Sequence, residues 1–493
     1  MRKIIILLLI LGLWAASGAV LARDWSRYTS ENFAIYSDAR EKEVKAILSD
    51  FENFRRITLA IIGIPDQPEN TKMQVLYFSS SREYRKIGSK NSIGFYTPTS
   101  AGPRMVVGQG RGSIDESAIL YHEYIHYLFR EHSQIVYPKW YDEGLAEVLG
   151  STTIENGKAT IGAVAEGRMR DLRYLSLLPI EELLAPSDLS NNDRTYASQF
   201  YASAWLFTHY LQISSFFDNQ QFKAQTVDYL QRYNQGEDPI AAFAASFQMS
   251  PDDMYKQVAR YGEKQVVSVF NTPVEDYEGP LEIQRLSTNE QVFLLADICW
   301  RLGKEELALD YLEDIDDDGE FAALPLSLGA VLENHDDENT SNQAKAEKAF
   351  ALAPNNPQVL ANIAHWEWDN HLRIEKTGKD TSNNVERAIQ LGLSAYEKDP
   401  KNLEALYFLA RAYRSQGKGV NAARAMMAAY QITPSSISLN FAIGQLLLQE
   451  KEYEVALPFL LRVRNWTHGE QQRAAVEKLI DEIKENLAEN SKQ

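Results

Sequence analysis

Two prolines, Pro400 and Pro434, stand 34 residues apart, each preceded by one amphipathic helical stretch and followed by another. Counted from Leu403, the residues Leu406, Leu409, Ala410, Tyr413, Ala422, Met426, Ala429 and Pro434 fall at positions 4, 7, 8, 11, 20, 24, 27 and 32. The next unit repeats the pattern with Ile443, Gly444, Leu447, Ala456, Leu460 and Val463. Small residues at positions 8 and 20 let two helices of a hairpin approach closely, and the large ones fill the seam to the next hairpin. Such a stretch stacks helical hairpins. Degenerate units precede it: Ala349 and Pro354 close one, Pro357 to Pro400 holds another with extra residues around HLRIEKTGKDTSN, and FLLADICWRLGKEELALDYL is the first pair.

The pattern closely resembles the tetratricopeptide repeat, most clearly over residues 403–470 and more weakly over 286–402. The resemblance implies an all-α TPR solenoid over 286–490 whose concave face recruits a protein partner. Asp314, Asp316, Asp318 and Gly319 open a loop like that of an EF-hand, but position twelve is Pro325 where a bidentate Glu is needed, so an acidic turn is expected. Cys299, the lone cysteine, lies in an apolar helical stretch and is expected as a small core residue.

Upstream the pattern changes. NFAIYSD, MQVLYFS, SIGFYTP and PRMVVGQ read as short strands, Arg40 to Ile62 as a helix, and the helical period takes over from Ser113. A mixed α+β domain is expected over 24–270, and residues 271–285, with Pro273, Gly279 and Pro280, read as a linker.

Arg2 and Lys3, the apolar run Ile4 to Trp14, and the small residues of AASGAVLA form the three regions of an export signal over residues 1–22, cleaved after Ala22. An uncleaved anchor is the alternative, since Ile4 to Ala22 is just long enough to span a bilayer. No later stretch is as apolar, so a secreted, periplasmic protein without stable membrane insertion is expected after cleavage. The net charge of −18 disfavours nucleic acid as a partner and points to peptides or proteins.

The chemistry-bearing segment is His122-Glu123-Tyr124-Ile125-His126. Ser113 and Glu116 spell a capping box ahead of it, and Ala118, Tyr121, Ile125 and Leu128 make an apolar stripe, so the segment is expected on a helix. Two histidines four apart share a face and can direct both imidazoles at one ion. Glu123 projects beside them, where a carboxylate can act as general base toward a water held at the ion. With only 8 histidines in the chain, an accidental match is expected roughly 0.01 times.

On the next expected helix lies Trp140-Tyr141-Asp142-Glu143-Gly144-Leu145-Ala146-Glu147. H-E-x-x-H followed by W-x-x-E-G-x-A resembles the gluzincin metallopeptidases, and more narrowly their peptidase MA-like group. The resemblance implies a zincin-like metallopeptidase fold, one Zn²⁺ per chain, Glu143 as third ligand, and Glu147 orienting the first histidine from the second shell. Glu147 as ligand in place of Glu143 is the swapped reading, and a surface carboxylate the plain one. The resemblance extends to Phe200–Trp205, where it implies Tyr201 as donor to a developing oxyanion, with Tyr196 as a possible additional donor. It departs at Gly102 to Gly110: related aminopeptidases carry an amine-binding Glu in a G-x-M-E-N segment, and this chain reads G-P-R-M-V-V-G-Q-G. That favours an endopeptidase, with Arg104 to Val107 expected as an edge strand for an extended substrate.

Together these features predict an exported zinc-dependent metallopeptidase whose repeats recruit substrate or an envelope partner. The alternatives are a non-enzymatic TPR adaptor with a relic metal domain, and zinc hydrolysis of a non-peptide bond. Deletion of residues 286–493 is expected to leave a peptidase active on small peptides. The segment Asp188 to Arg194 is a candidate gating loop.

Overall fold

In the computed structural model, which describes residues 24–69, 71–88, 93–99, 101–109, 116–133, 135–186, 193–214, 221–264, 268–333, 340–376, 382–467 and 470–490, mixed α/β structure is followed by a mostly helical region. The mixed part runs β1 (Ser26–Thr29), β2 (Phe33–Ser37), α1 (Glu41–Ile62), β3 (Met73–Phe78), α2 (Ser81–Ile87), β4 (Gly94–Thr99), β5 (Gly102–Gly108), α3 (Glu116–His132), α4 (Lys139–Gly150), β6 (Thr153–Glu155) and β7 (Lys158–Ile161). It continues with α5 (Glu166–Leu175), α6 (Ile180–Leu184), α7 (Arg194–His209), α8 (Gln221–Asn234), α9 (Pro239–Phe247), α10 (Pro251–Glu263), β8 (Phe270–Pro273) and β9 (Glu282–Arg285). The helical part holds α11 (Thr288–Arg301), α12 (Glu305–Leu312), α13 (Ala323–Leu332), α14 (Thr340–Leu352), α15 (Pro357–Glu375) and α16 (Ser382–Lys398). It ends with α17 (Leu403–Ser415), α18 (Gly419–Ile432), α19 (Ile437–Gln449), α20 (Tyr453–Trp466) and α21 (Glu470–Asn490). Among the described residues no helix is long and apolar enough to cross a membrane, and Met1 to Ala22 lie outside them.

Two compact units divide the chain, and they do not follow the linear division expected from the sequence. One contains Thr29–Ile35, Arg40–Leu281 and Met426–Gln493; the other contains the chain up to Tyr28, Tyr36–Ala39 and Glu282–Ala425. The stretch expected as a linker supplies β8 to the first unit and β9 to the second.

In the first unit the strand order is β4-β5-β3-β2. β5 runs parallel to β3, with Val75 opposite Met105, and antiparallel to β4, with Phe95 opposite Val106. This corrects the expectation for Arg104–Val107: β5 is hydrogen-bonded on both sides and buried along its length, so its backbone has no free ladder for a substrate. Its near-continuous apolar run marks an interior strand, and among the described strands the edge position belongs to β4.

Helix α1 buries Val44, Leu48, Phe51, Phe54 and Leu59, and the Phe51 ring packs on Phe33 of β2 with centroids 5.1 Å apart. It stops at Gly63, whose φ of 74° allows its N–H to reach back to the Leu59 carbonyl. The Phe54 ring stacks on Tyr121 of α3 with centroids 3.8 Å apart, and Phe51 and Phe33 pack on Tyr124. These contacts fix α3 against α1. A charged group closes the other end of the interface: buried Arg55 donates from Nε to Glu69 at 3.0 Å, and Glu69 also accepts from Tyr127 Oη at 2.9 Å and lies 2.8 Å from His132 Nε2.

Residues beyond Met426 complete the same unit. Val136 and Tyr233 share a buried cluster with Leu457, Leu460 and Leu461 of α20 and with Val476, Ile480 and Ile483 of α21. The Ser435 N–H donates to Glu131 on α3 at 3.2 Å, Asn465 Nδ2 donates to the Tyr137 carbonyl at 2.9 Å, and Tyr233 Oη donates to Asn465 Oδ1 at 2.9 Å. Gly444 on α19 lets α20 close in, because a Cβ there would meet Leu460 at 2.7 Å.

The second unit is built of helical hairpins beside the β1–β9 pair. Ser287 and Glu290 cap α11 reciprocally, and the buried Arg301 guanidinium joins Asp297 of its own helix, at 2.9 Å, to Glu404 of α17, at 2.8 Å. Cys299 is buried in this core, where desolvation pushes its thiol up to about 12. The acidic turn at Asp316 is held by the Asn289 amide, which donates to the Asp316 and Glu320 carbonyls, and Pro325 lies within α13.

Candidate metal centre

Helix α3 carries His122 and His126 one turn apart, as their spacing requires, and α4 brings Glu143 across to them. The expected capping residue Ser113 lies outside the described residues. Helix α4 reaches this position because it packs closely on α7: a Cβ at Gly144 would stand 2.4 Å from the Ala204 carbonyl oxygen and 2.2 Å from Thr208 Oγ1. The glycine after the candidate ligand is thus a packing requirement.

The two Nε2 atoms are 3.2 Å apart, and Glu143 Oε2 lies 3.5 Å from His122 Nε2 and 3.4 Å from His126 Nε2. A tetrahedral ion with ligand bonds of about 2.0–2.2 Å has ligand–ligand edges of roughly 3.3–3.6 Å. The three atoms therefore trace one face of such a tetrahedron. Among the described residues this is the one cluster of His, Cys, Asp or Glu side chains that could hold a metal ion.

Outer partners fix both rings. Asp142 Oδ1 is 2.9 Å from His126 Nδ1; a carboxylate can only accept, so Nδ1 carries a proton and Nε2 is the atom turned to the shared point. Glu147 Oε1 stands 3.6 Å from His122 Nδ1 and accepts from Arg168 at 2.5 Å. The other Glu143 oxygen, Oε1, accepts from Lys139 Nζ at 3.2 Å. Two imidazole nitrogens and one carboxylate oxygen at this spacing are donor types that Zn²⁺ takes, and a proton shared between the nitrogens can occupy the same place.

The electrostatics agree. Burial opposes a charged imidazole at His126, but Asp142 and Glu143 outweigh it and raise the pKa to about 10. At His122 burial is again overcome, by Glu143 and then Glu147. Glu143 is held well below the usual carboxylate range, against its own burial, by Lys139 and the two histidines. The pocket stabilises positive charge, whether it arrives as protons or as a metal ion.

Glu123 is half-buried beside this cluster and makes no hydrogen bond or ion pair among the described residues. The Arg168 guanidinium stacks over the Tyr201 ring at 5.2 Å, which ties α7 to the Glu147 side of the site. The phenol is held protonated, first by the charge of Glu143 and then by burial. Its hydroxyl makes no hydrogen bond among the described residues, so it keeps a donor available. Tyr196 lies half-buried in the first turn of α7, where Asp193 caps the helix through the Thr195 and Tyr196 N–H groups. Residues 188–192 of the expected gating loop lie outside the described residues.

Sequence reasoning missed Asp142, Arg130, Lys139 and Arg168. Arg130 Nη2 lies 3.5 Å from Asp142 Oδ2, and its guanidinium stacks on Trp466 at 5.5 Å. The i,i+4 spacing of Lys139 and Glu143 could have flagged that pair; the others depend on which helices meet. His209 proves to be a core residue, with Nε2 2.9 Å from the Gly162 carbonyl oxygen and Nδ1 2.8 Å from Tyr261 Oη.

Residues 118–230 match the model of a family described as a protein of unknown function, DUF1570. The matched segment contains His122, Glu123, His126, Glu143, Glu147, Tyr196 and Tyr201. No curated protein matches the chain.

Proposed function

We propose that the chain is an exported zinc metallopeptidase, an endopeptidase of gluzincin type, whose helical hairpins act as tetratricopeptide repeats that recruit substrate or a partner protein. The observation that carries this reading is the triangle of His122, His126 and Glu143 donor atoms, with edges of 3.2–3.5 Å, beside an uncommitted Glu123. His122, His126 and Glu143 would hold the ion. When bound, zinc supplies Lewis-acid polarisation of a substrate carbonyl and makes water more acidic. Glu123 takes the proton from the attacking water as its oxygen bonds to the carbonyl carbon, and delivers it to the amine nitrogen as the C–N bond breaks. Tyr201 donates a hydrogen bond to the oxygen that gathers negative charge. Asp142 and Glu147 keep the imidazoles in the ligating orientation, and Lys139 offsets the charge of Glu143. The edge strand β4 takes the role of the strand that aligns an extended peptide.

Elemental analysis and peptide cleavage on the same preparations test this reading. One zinc per chain is expected in the wild type and in Glu123→Gln but not in Glu143→Ala, with cleavage of a mixed peptide library by the wild type alone. Zinc-free wild type after supplementation, or cleavage unchanged in Glu123→Gln, overturns it. In that event the non-enzymatic adaptor takes its place.

A further inference from the structure

A small cavity of about 210 Å³ begins at Lys139, the residue that bonds the candidate ligand Glu143. In a chain of net charge −18, three cations from three helices converge on it: Lys139 of α4, Arg464 of α20 and Arg473 of α21, against Glu477. Pro138, Pro186 and Pro239 form rigid walls that offer no N–H donor.

The two arginines are only partly satisfied. Arg464 commits Nε to Asn465 Oδ1 at 3.1 Å and Nη2 to Tyr233 Oη at 2.6 Å, and Glu477 Oε1 lies 3.8 Å from Nε. Its Nη1 makes no hydrogen bond among the described residues. Arg473 is half-buried and has neither a hydrogen bond nor an ion pair among them. Guanidinium groups held partly out of water with open donors match a planar anion, and a carboxylate satisfies two such donors at once. The volume is below the roughly 300–1,000 Å³ of sites for drug-sized ligands, so one residue enters.

Position relates this cavity to the metal cluster. Lys139 Nζ is 3.2 Å from Glu143 Oε1, and Oε2 of the same carboxylate is 3.4–3.5 Å from the two histidine nitrogens. We infer that the cavity is a specificity subsite for a carboxylate of the substrate, supplied by a chain terminus or by an Asp or Glu side chain. The inference rests on the metallopeptidase reading and narrows it to peptides with an anionic end or residue.

The test is calorimetric binding to the full chain carrying Glu123→Gln, in zinc-containing buffer. The probes are benzoyl-Gly-Ala-Ala as free acid, its C-terminal amide, and the amide of benzoyl-Gly-Ala-Glu. The free acid is expected to bind at least about tenfold tighter than its amide, and Arg473→Ala to remove that preference. Tight binding of the glutamyl amide would identify the side chain as an accepted source, and its weak binding would restrict the site to a terminus. Equal affinity for acid and amide, binding of neither, or a preference unchanged in Arg473→Ala overturns the inference. Arg473 is chosen because Arg464 also braces Tyr233 and Asn465, so its loss could unfold the unit. If the acid preference holds while the wild type cleaves no peptide, the peptidase reading fails and the carboxylate site stands; cleavage without any acid preference gives the reverse.

Discussion

His126 Nδ1 lies 2.9 Å from Asp142 Oδ1, and Asp142 immediately precedes the candidate ligand Glu143. One helical turn of α4 thus supplies both a candidate metal donor and the group that orients another candidate donor. Asp142 is in turn anchored by Arg130 at 3.5 Å, and Arg130 by Trp466. Removal of such an outer partner commonly costs 10–100-fold in metal affinity. Asp142→Ala is therefore expected to weaken zinc binding by about that factor in a chelator competition, with Glu123→Gln close to wild type. An Asp142→Ala protein that competes for zinc as well as wild type would show that the contact does not orient His126.

The Arg130–Trp466 contact belongs to a larger dependence. Eight of the ten side chains in the buried cluster with Val136 and Tyr233 come from residues beyond Ala425. At roughly 1.5–3 kcal/mol per large apolar side chain, the burial they contribute is comparable with the whole 5–15 kcal/mol by which domains are stable. A chain ending at Ala425 is expected to lose cooperative thermal unfolding and zinc binding together. Deletion of residues 286–493 removes part of the unit that holds His122, His126 and Glu143, so loss of zinc binding is the outcome expected from it. A truncated chain with the full-length transition temperature and full zinc content would refute this.

These cases mark what was legible in the sequence. His122, Glu123 and His126 could be read because helical periodicity fixes which residues share a face, Glu143 because its W-x-x-E-G-x-A segment resembles the metallopeptidase motif, and α1 and the strands β2 to β5 were visible as apolar patterns of the right length. The interior position of β5 was not, since pairing on both edges depends on β3 and β4, which lie at different distances along the chain. Nor was the allegiance of residues beyond Met426: Leu460 and Ile480 have the same amphipathic signature whether they face another hairpin or Val136 and Tyr233. Asp142 and Arg168 were silent because a surface carboxylate or guanidinium looks the same in sequence as one buried against a histidine.

Arg55 is nearly fully buried and bonds Glu69, Asp66 and the Gln67 carbonyl. Glu69 would be left with only Tyr127 and His132 if Arg55 were removed. An uncompensated buried charge costs about 3–5 kcal/mol. Arg55→Met should lower the unfolding free energy of the unit by that much in denaturant titration, and Arg55→Met with Glu69→Gln should recover part of it. No change in Arg55→Met would mean that water replaces the guanidinium.

Glu131 gives the fold a pH dependence. Burial pushes its carboxyl up to about 8, against the Ser435 N–H that favours ionisation, with nearby Glu69 adding to the rise. Tyr96 and Tyr430 also face it and stay protonated. The folded state holds this proton where the unfolded chain, titrating near 4.5, has released it, so stability attributable to Glu131 is intact below about 4.5 and lost as pH rises toward 8. Glu131→Gln should remove that decline, leaving the variant more stable than wild type above pH 8 by roughly 3–5 kcal/mol. Parallel stability profiles for the two proteins between pH 5 and about 9 would show that Glu131 ionises normally.

Tyr201 separates structure from chemistry at the same site. Its ring lies under Arg168, which holds Glu147, yet its hydroxyl has no hydrogen-bond partner among the described residues. Phenylalanine keeps the ring and the stacking and removes only the donor. If the hydroxyl serves a charge that exists only in the transition state, its loss lowers kcat without changing KM, by about 10²–10³ as for other oxyanion donors. Tyr201→Phe should therefore keep full zinc content and wild-type thermal stability while peptide cleavage falls by that factor. Tyr196→Phe, made alongside, tests whether α7 carries a second donor: a comparable loss would assign the role to both tyrosines. A Tyr201→Phe enzyme with unaltered kcat would leave the tyrosine as a packing residue under Arg168, and electrostatic stabilisation of the oxyanion would then rest on the metal alone.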